Sequence, residues 1–396
     1  MDWSFLIKNK SSLNVTTDSR KVTSGSIFVA LKGEHFDGND FVEQAKAQGA
    51  EYVICGENAL RDVQDLARAW RRELGLPILA ITGTNGKTTT KELCAAVLKT
   101  KYNIYYTQGN LNNSLGVPLT LLSITRAHEM AIVEMGASHP GDIKELVDIA
   151  EPNYGLITNV GKAHLQGFGS FEGVMRTKAE LYDYLRVHGG FCFRNTDNPY
   201  LAEMAGDLRT VPYTTGVMPA DTHLVGAYNA ENVSAALRVG LYFGVAEPRA
   251  LAAIRAYIPS NNRSQLMQTE KNTIVIDAYN ANPTSMQAAI NAFDHSTFSI
   301  QHSTANRPKA YLLGAMRELG EYSSLEHQNI VNMLLERKAD KVLLVGEEYT
   351  KTTAPYPIFQ DVESLCEYLR QEPLEGYTIL LKGSRSNQLE KVIPLL

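Results

Sequence analysis

Two rhythms alternate along most of this chain: short runs of apolar residues, and longer stretches in which apolar positions return every three to four residues. From Pro77 onward the runs 78–81 (ILAI), 131–133 (AIV) and 155–157 (GLI) are separated by such stretches. A strand covered on both faces reads as continuously apolar, and a helix between successive strands makes them parallel. The pattern therefore predicts a mostly parallel sheet covered by helices. A second series begins after about residue 260, with strands expected at 273–276, 310–313, 341–345 and 377–381 and helices at 285–293 and 325–336. Before Pro77 the segment 18–50 reads as short strands and turns, with a strand at 27–30 and a short helix at 41–48 that Gly49 ends.

This predicts an α/β protein of three domains: a small N-terminal α/β unit at 1–75, a central parallel-sheet unit at 76–258 and a doubly wound, Rossmann-like unit at 259–396. The polar stretch 258–263 (IPSNNR) holds turn formers and little apolar content, which makes it the candidate hinge. A chain of 396 residues is long enough for each unit to bury its own core.

Charge and composition narrow the chemistry. The formal net charge is −5 and no block of Lys and Arg occurs, so an extended polyanion such as nucleic acid is not the expected partner. No apolar run approaches the ~18 residues that span a bilayer, and MDWSFLIKNK lacks the basic and apolar regions of a leader. A cytoplasmic location is the expectation. Cys55, Cys94, Cys192 and Cys366 are widely spread with no C-x-x-C pair, as expected of structural thiols in a reduced compartment.

The most specific motif is Thr82-Gly83-Thr84-Asn85-Gly86-Lys87-Thr88-Thr89, which follows the apolar run 78–81 and opens a helix carrying Leu93 and Val97. Glycines let backbone N–H groups turn onto phosphate oxygens, Lys87 brings a positive charge to the outer phosphates, and the helix start adds its partial positive end. Thr88 is then placed for magnesium. The loop is a shortened phosphate loop, since Ile81 stands five residues before Gly86, and it suits ATP and GTP alike. Glu134 and His164 each follow an apolar run, at the strand ends where ligand groups collect. Read from the residues alone, Lys178 in TKAEL is an ordinary solvated helix lysine.

Taken together, residues 81–89, Glu134, the stretch 158–170 (TNVGKAHLQGFGS) and TKAEL resemble the central domain of the Mur ligases, which build the peptide stem of peptidoglycan. The likeness runs from about residue 16 to Lys382-Gly383-Ser384-Arg385 near the end. It includes Asp18-Ser19-Arg20, Gly33, Asp37-Gly38, the stretch 226–232 (GAYNAEN), Arg263 and 277–286 (DAYNANPTSM). The last string is similar to that of the family members that add D-alanyl-D-alanine.

The resemblance implies ATP-dependent ligation of D-alanyl-D-alanine to a UDP-N-acetylmuramoyl tripeptide through an acyl phosphate, by a magnesium-dependent enzyme; a monomer is the default expectation. It implies that Thr82 to Thr89 hold the ATP phosphates and that Glu134 and His164 join Thr88 as magnesium ligands. Lys178 would be carbamylated and help place a second magnesium, so that Lys87, Glu134, His164 and Lys178 form the catalytic group. Asn229 and Asn232 would lie by the adenine, and Arg263 and Asp277 would contact phosphate and ribose. Ser19, Arg20, Gly33, Asp37 and Gly38 would bind the uridine nucleotide, with Asn110, Asn280 and Asn282 on the rest of the substrate. Tyr228, Ala315 and Asn39 stand where relatives often have His, Asp and His. Two alternatives accompany this reading: another ligase of the superfamily, of the MurE or folylpolyglutamate synthase type, and a regulatory ATPase with the same phosphate loop.

Overall fold

The structure is a computed structural model that describes residues 2–219, 221–226, 228–259, 262–295, 307–337 and 339–396. Ser260 and Asn261 of the candidate hinge and Ala227 of the GAYNAEN stretch lie outside these residues. Before Pro77, strands β1 (Val15–Thr16), β2 (Ile27–Val29) and β3 (Tyr52–Ile54) form a parallel sheet in that order.

The central sheet contains β4 (Ile78–Thr82), β5 (Ile104–Tyr106), β6 (Met130–Glu134), β7 (Tyr154–Ile157), β8 (Phe191–Asn195) and β9 (Thr210–Tyr213). Its order is β5-β6-β4-β7-β8-β9, and every pairing is parallel. From β4 the chain crosses to the edge strand β5, returns to β6 beside β4, and then builds away on the other side through β7, β8 and β9, so the first connection leaves β4 in one direction and the later ones run in the other. A crevice forms at such a point because successive connections leave it in opposite directions. All five residues of β4 are buried, which explains the uninterrupted apolar run in the sequence.

The third sheet joins β10 (Gln265–Gln268), β11 (Thr273–Asp277), β12 (Lys309–Gly314), β13 (Lys341–Val345), β14 (Ile358–Phe359) and β15 (Thr378–Lys382) in the order β10-β11-β15-β12-β13-β14. Only β10 runs antiparallel. The expected doubly wound unit is therefore present, with one antiparallel edge strand that the sequence rhythm did not announce.

Helix Ala59–Leu74 departs from a simple division at residue 75. It buries Val63, Leu66, Ala67 and Trp70, and Gly75 ends it at φ +64°, the left-handed conformation that suits glycine. The Trp70 indole N–H donates to the Ile124 carbonyl at 2.9 Å, and Arg71 donates to the carbonyls of Ala150 and Glu151. The helix thus packs onto the central unit. One apolar core runs from Trp3 and Leu6 through Ile27, Val29 and this helix to Ile78, Leu121 and Leu146. Among the described residues no helix is long and apolar enough to cross a membrane.

Candidate active site

The loop after β4 is shaped by two glycines. Gly83 has φ +142°, and a Cβ there would lie 2.0 Å from the Thr158 hydroxyl; Gly86 has φ +78°, and a Cβ there would lie 2.3 Å from the Asn232 side-chain oxygen. Neither position admits a side chain, so the backbone can approach what it faces. The loop is braced from β7's end: Thr158 Oγ1 donates to Asn85 O at 2.6 Å, and Asn159 Oδ1 accepts from Asn85 N at 3.0 Å. Thr82 turns away and donates to Met135 O. Lys87 begins helix Lys87–Leu98 and folds back to donate to the carbonyls of Gly83 and Thr84 at 2.8 and 3.1 Å. Burial pulls its ammonium from the ordinary 10.5 to about 8; Glu134 opposes the fall and Arg263 adds to it.

At the end of β6, Glu134 is almost fully buried. Its Oε1 accepts from Thr88 Oγ1 at 3.2 Å and from Asn112 Nδ2 at 2.8 Å. Its Oε2 has no hydrogen-bond partner and faces the Lys91 ammonium at 3.5 Å. Lys91 is fully buried one helical turn after Lys87 and was not singled out from sequence, although its place on the inner face of that helix is the signal for it. An oxygen-donor pair with one unsatisfied buried carboxylate oxygen suits a hard divalent cation. Among the described residues no group of three or more His, Cys, Asp and Glu side chains could hold a metal, so Thr88 and Glu134 do not by themselves complete a cation site.

His164 takes φ +49° and sets its Nδ1 against the Glu318 carboxylate of the third unit. Burial keeps its pKa below the ordinary value, with Glu318 opposing. Lys178 corrects the solvated-lysine reading: its exposure is only 2%. Helix Phe171–Val187 starts on Ser170, whose hydroxyl accepts from Gly173 N, and its inner face carries Val174, Thr177, Lys178, Leu181 and Leu185. The apolar stripe 174–181–185 was legible and could have placed Lys178 inside. Burial first, and the positive Lys87 second, hold the Lys178 amine well below its ordinary pKa.

Thr84 to Thr89, Glu134, His164, Asn229, Asn232, Arg263, Asp277 and Asn280 line one cleft of ≈ 750 Å³ between the second and third sheets. Asn112, Asn113 and Ser114 line it too, beyond what was expected from sequence. Thr82, Gly83, Lys178 and Asn282 do not line it. Asn282 bridges the units by donating to Asn85 Oδ1 at 2.8 Å. Asn232 Nδ2 donates to Asn229 Oδ1, and Thr90 donates to Asn232 Oδ1, so both asparagines also brace the loop helix. Asp277 pairs with the buried Lys382 at 2.7 Å, a partner that only strand register brings to it. Lys162 reaches across to the buried Glu326 at 2.7 Å. Tyr228 donates or accepts with Ser264 at 2.9 Å, and Ala315 is buried.

Ser19, Arg20, Gly33, Asp37 and Gly38 lie in the N-terminal unit, outside this cleft. Asp18 accepts from Arg20 N and pairs with its guanidinium at 2.9 Å, while Asp37 accepts from Asn39 N at 2.9 Å. Gly38 touches the Leu31 backbone closely enough that a Cβ would stand 2.7 Å from its carbonyl oxygen. Asn110 sits in a smaller neighbouring cavity.

Three family models match the chain: the Mur ligase family catalytic domain over residues 13–93, the Mur ligase middle domain over 81–215 and the Mur ligase glutamate ligase domain over 262–385. The UDP-N-acetylmuramoyl-tripeptide–D-alanyl-D-alanine ligase of Bacillus subtilis is 32% identical over 96% of this chain and 92% of its own. The chain belongs to the Mur ligase family.

Solved Mur ligase structures agree with the three-sheet arrangement. MurF from Acinetobacter baumannii matches with TM-score 0.81 at 28% identity, over 96% of this chain and 92% of that one. MurF from Thermotoga maritima, in complex with ADP, matches with TM-score 0.84 at 26% identity over 98% of both chains.

Proposed function

We propose that this Mur ligase uses ATP to join D-alanyl-D-alanine to the carboxyl end of a UDP-N-acetylmuramoyl tripeptide, making the pentapeptide precursor of peptidoglycan. The observation that carries the reading is the cleft in which a phosphate loop without room for side chains faces Arg263, Asp277 and Lys382 of another unit. The names and chain-long similarity of the relatives support the substrate pair. A carboxylate is a poor electrophile, so its oxygen first attacks the γ-phosphorus, forming an O–P bond and releasing ADP. The amine nitrogen then attacks the acyl carbon, a C–N bond forms, the C–O bond to phosphate breaks, and the nitrogen gives up a proton.

Two anions must meet in the first step. Lys87 and the backbone N–H groups of 86–89 offset their repulsion, and Arg263 adds charge from the far wall. Magnesium would be held by Thr88 and Glu134, with His164 beyond them, and supplies charge neutralisation at the phosphates when bound. Asn229 and Asn232 fall to the adenine side, Asp277 to the ribose. Asn110, Asn280 and Asn282 fall to the peptide substrate. Ser19, Arg20, Gly33, Asp37 and Gly38 take the uridine nucleotide, with the exposed Arg20 held on Asp18. In this reading the units 1–75, 76–258 and 259–396 close on the acyl phosphate and exclude water. The four unpaired cysteines favour a cytoplasmic setting, and a monomer suffices for the site.

Lys178 is assigned as a carbamate: burial lowers its pKa and favours the neutral amine, whose nitrogen can bond to carbon dioxide, losing one proton. Lys178→Ala should lose at least a hundredfold in turnover and recover part of it with added short carboxylic acids. Full activity without them would remove the carbamate. The function itself is tested by ADP release with the UDP-muramoyl tripeptide, crossed against D-alanyl-D-alanine and single amino acids. Release dependent on the dipeptide is expected. Release with a single amino acid instead would favour the MurE type, and release without any acceptor would favour a regulatory ATPase.

A further inference from the structure

Lys91 is charged, fully buried and unused by the ligation chemistry set out above. It follows Lys87 by four residues on helix Lys87–Leu98, so the two lysines share one face of the helix, one turn apart. Lys87, Thr88 and Thr89 line the large cleft, whereas Lys91 lines neither it nor the smaller cavity beside it. With no exposed surface its ammonium cannot touch a nucleotide, so whatever it does passes through the groups around it. Those groups are few. Glu134 Oε2 stands 3.5 Å away, Glu92 Oε1 3.9 Å away, and the centre of the Tyr106 ring 5.7 Å away. Glu92 also accepts from the Tyr257 hydroxyl through its other oxygen. Glu134 is the nearer and the more deeply buried partner, its side chain 2% exposed against 17% for Glu92.

Neither Lys91 Nζ nor Glu134 Oε2 has a hydrogen-bond partner among the described residues, so the two face each other as bare charges. A buried carboxylate and a buried ammonium are costly to desolvate and are compensated chiefly by each other. The carboxylate is thereby divided. Its Oε1 accepts from Thr88 and Asn112, which line the cleft, and its Oε2 is turned to Lys91, which does not. We infer that Lys91 is the positioning residue of the cation site: it holds Oε2 so that Oε1 stays with Thr88, and its charge keeps Glu134 from taking a divalent cation that arrives without a nucleotide. The inference rests on the reading of Glu134 as a magnesium ligand. Its sign follows from simple electrostatics. A free dication at Glu134 would gain a carboxylate whose charge is already balanced and would meet the Lys91 ammonium beside it, whereas nucleotide phosphates add the negative charge that tips the balance.

The test uses the full chain with Mn²⁺ as the probe. Its binding is followed by electron paramagnetic resonance with and without ADP, alongside ligation kinetics at saturating magnesium. In the wild type, Mn²⁺ should bind far more tightly with ADP than without it, and Glu134→Gln should weaken the ADP-dependent binding. Lys91→Met should bind Mn²⁺ without nucleotide at least about tenfold more tightly than the wild type, because the opposing charge is gone. Its turnover should fall at least about tenfold with the KM for ATP within about threefold, because Oε2 is no longer held. Lys91→Arg keeps the charge and should leave nucleotide-free Mn²⁺ binding at the wild-type level. Should Lys91→Met not fold, Lys91→Gln, which keeps a hydrogen-bond donor without the charge, should give the same readings. A lysine that only packs would lower the melting temperature and leave nucleotide-free Mn²⁺ binding where it was; that result, or unaltered turnover, overturns the inference while the magnesium reading stands. ADP-dependent Mn²⁺ binding that survives Glu134→Gln intact would instead sink the magnesium assignment of Glu134, and the role of Lys91 with it.

Discussion

At the scale of single residues, Lys87 is the group whose charge is most at odds with its place. Its pKa falls from 10.5 unfolded to about 8 folded. Below about pH 8 both states carry the charge, and the folded state bears the full cost of burying it. Between 8 and 10.5 the unfolded chain binds more protons, so stability rises with pH through that window. Lys87→Met should therefore stabilise the ligand-free protein at pH 7 by about 1–2 kcal/mol, discounted for partial solvent access, while abolishing ligation. Urea midpoints at pH 7 and pH 10.5 check this, since the advantage should vanish at the higher pH; a variant less stable than wild type at pH 7 would refute it. The residues with a motif around them, Lys87, Thr88 and Glu134, were legible because a strand, a glycine turn and a helix start fix where they point. Lys178 was not, because TKAEL is locally polar and only the flanking stripe of Val174, Leu181 and Leu185 tells that it faces inward. Lys382 depends on pairing between distant strands, which no local pattern encodes.

At the scale of elements, the phosphate loop is held by fit between β4 and β7. Gly83→Ala adds a Cβ where only 2.0 Å separates it from the Thr158 hydroxyl, and does so at a φ that side chains avoid. The substitution should cost about 2–4 kcal/mol and raise the KM for ATP at least tenfold. A thermal melt and ATP titration check it; unchanged values in both would mean that the loop is not gripped as described. Strands β4, β6 and β7 were legible to within a residue or two, since they are buried on both faces and read as continuous apolar runs, whereas β8, whose run breaks at Arg194, was not. The two-residue strands β1 and β14 carry too few positions for any rhythm to register. Strand order, and the antiparallel edge at β10, are products of packing between distant segments.

For the whole molecule, sequence rhythm gave three successive units, whereas the packing ties the first two together. Trp3, Ile27 and Ile54 share one apolar cluster with Trp70, Ile78 and Leu146, and helix Ala59–Leu74 belongs as much to the second sheet as to the first. The third unit meets the second through a smaller apolar patch, where Leu165, Phe168, Val174 and Val225 join the third unit's own cluster, and through polar contacts such as Lys162 with Glu326 and Asn282 with Asn85, which water can replace when they part. A boundary drawn by linker composition alone does not capture this difference, because a shared interior leaves no mark on the residues that join its two sides. The shared interior bears on how the protein comes apart. Heating in a calorimeter should give two endotherms, one for the fused first and second sheets and one for the third, rather than one for each sheet. A shortened chain that begins at Pro77 would lack the inner wall of the ATP-handling half and be left as an insoluble remnant instead of a smaller working ATPase.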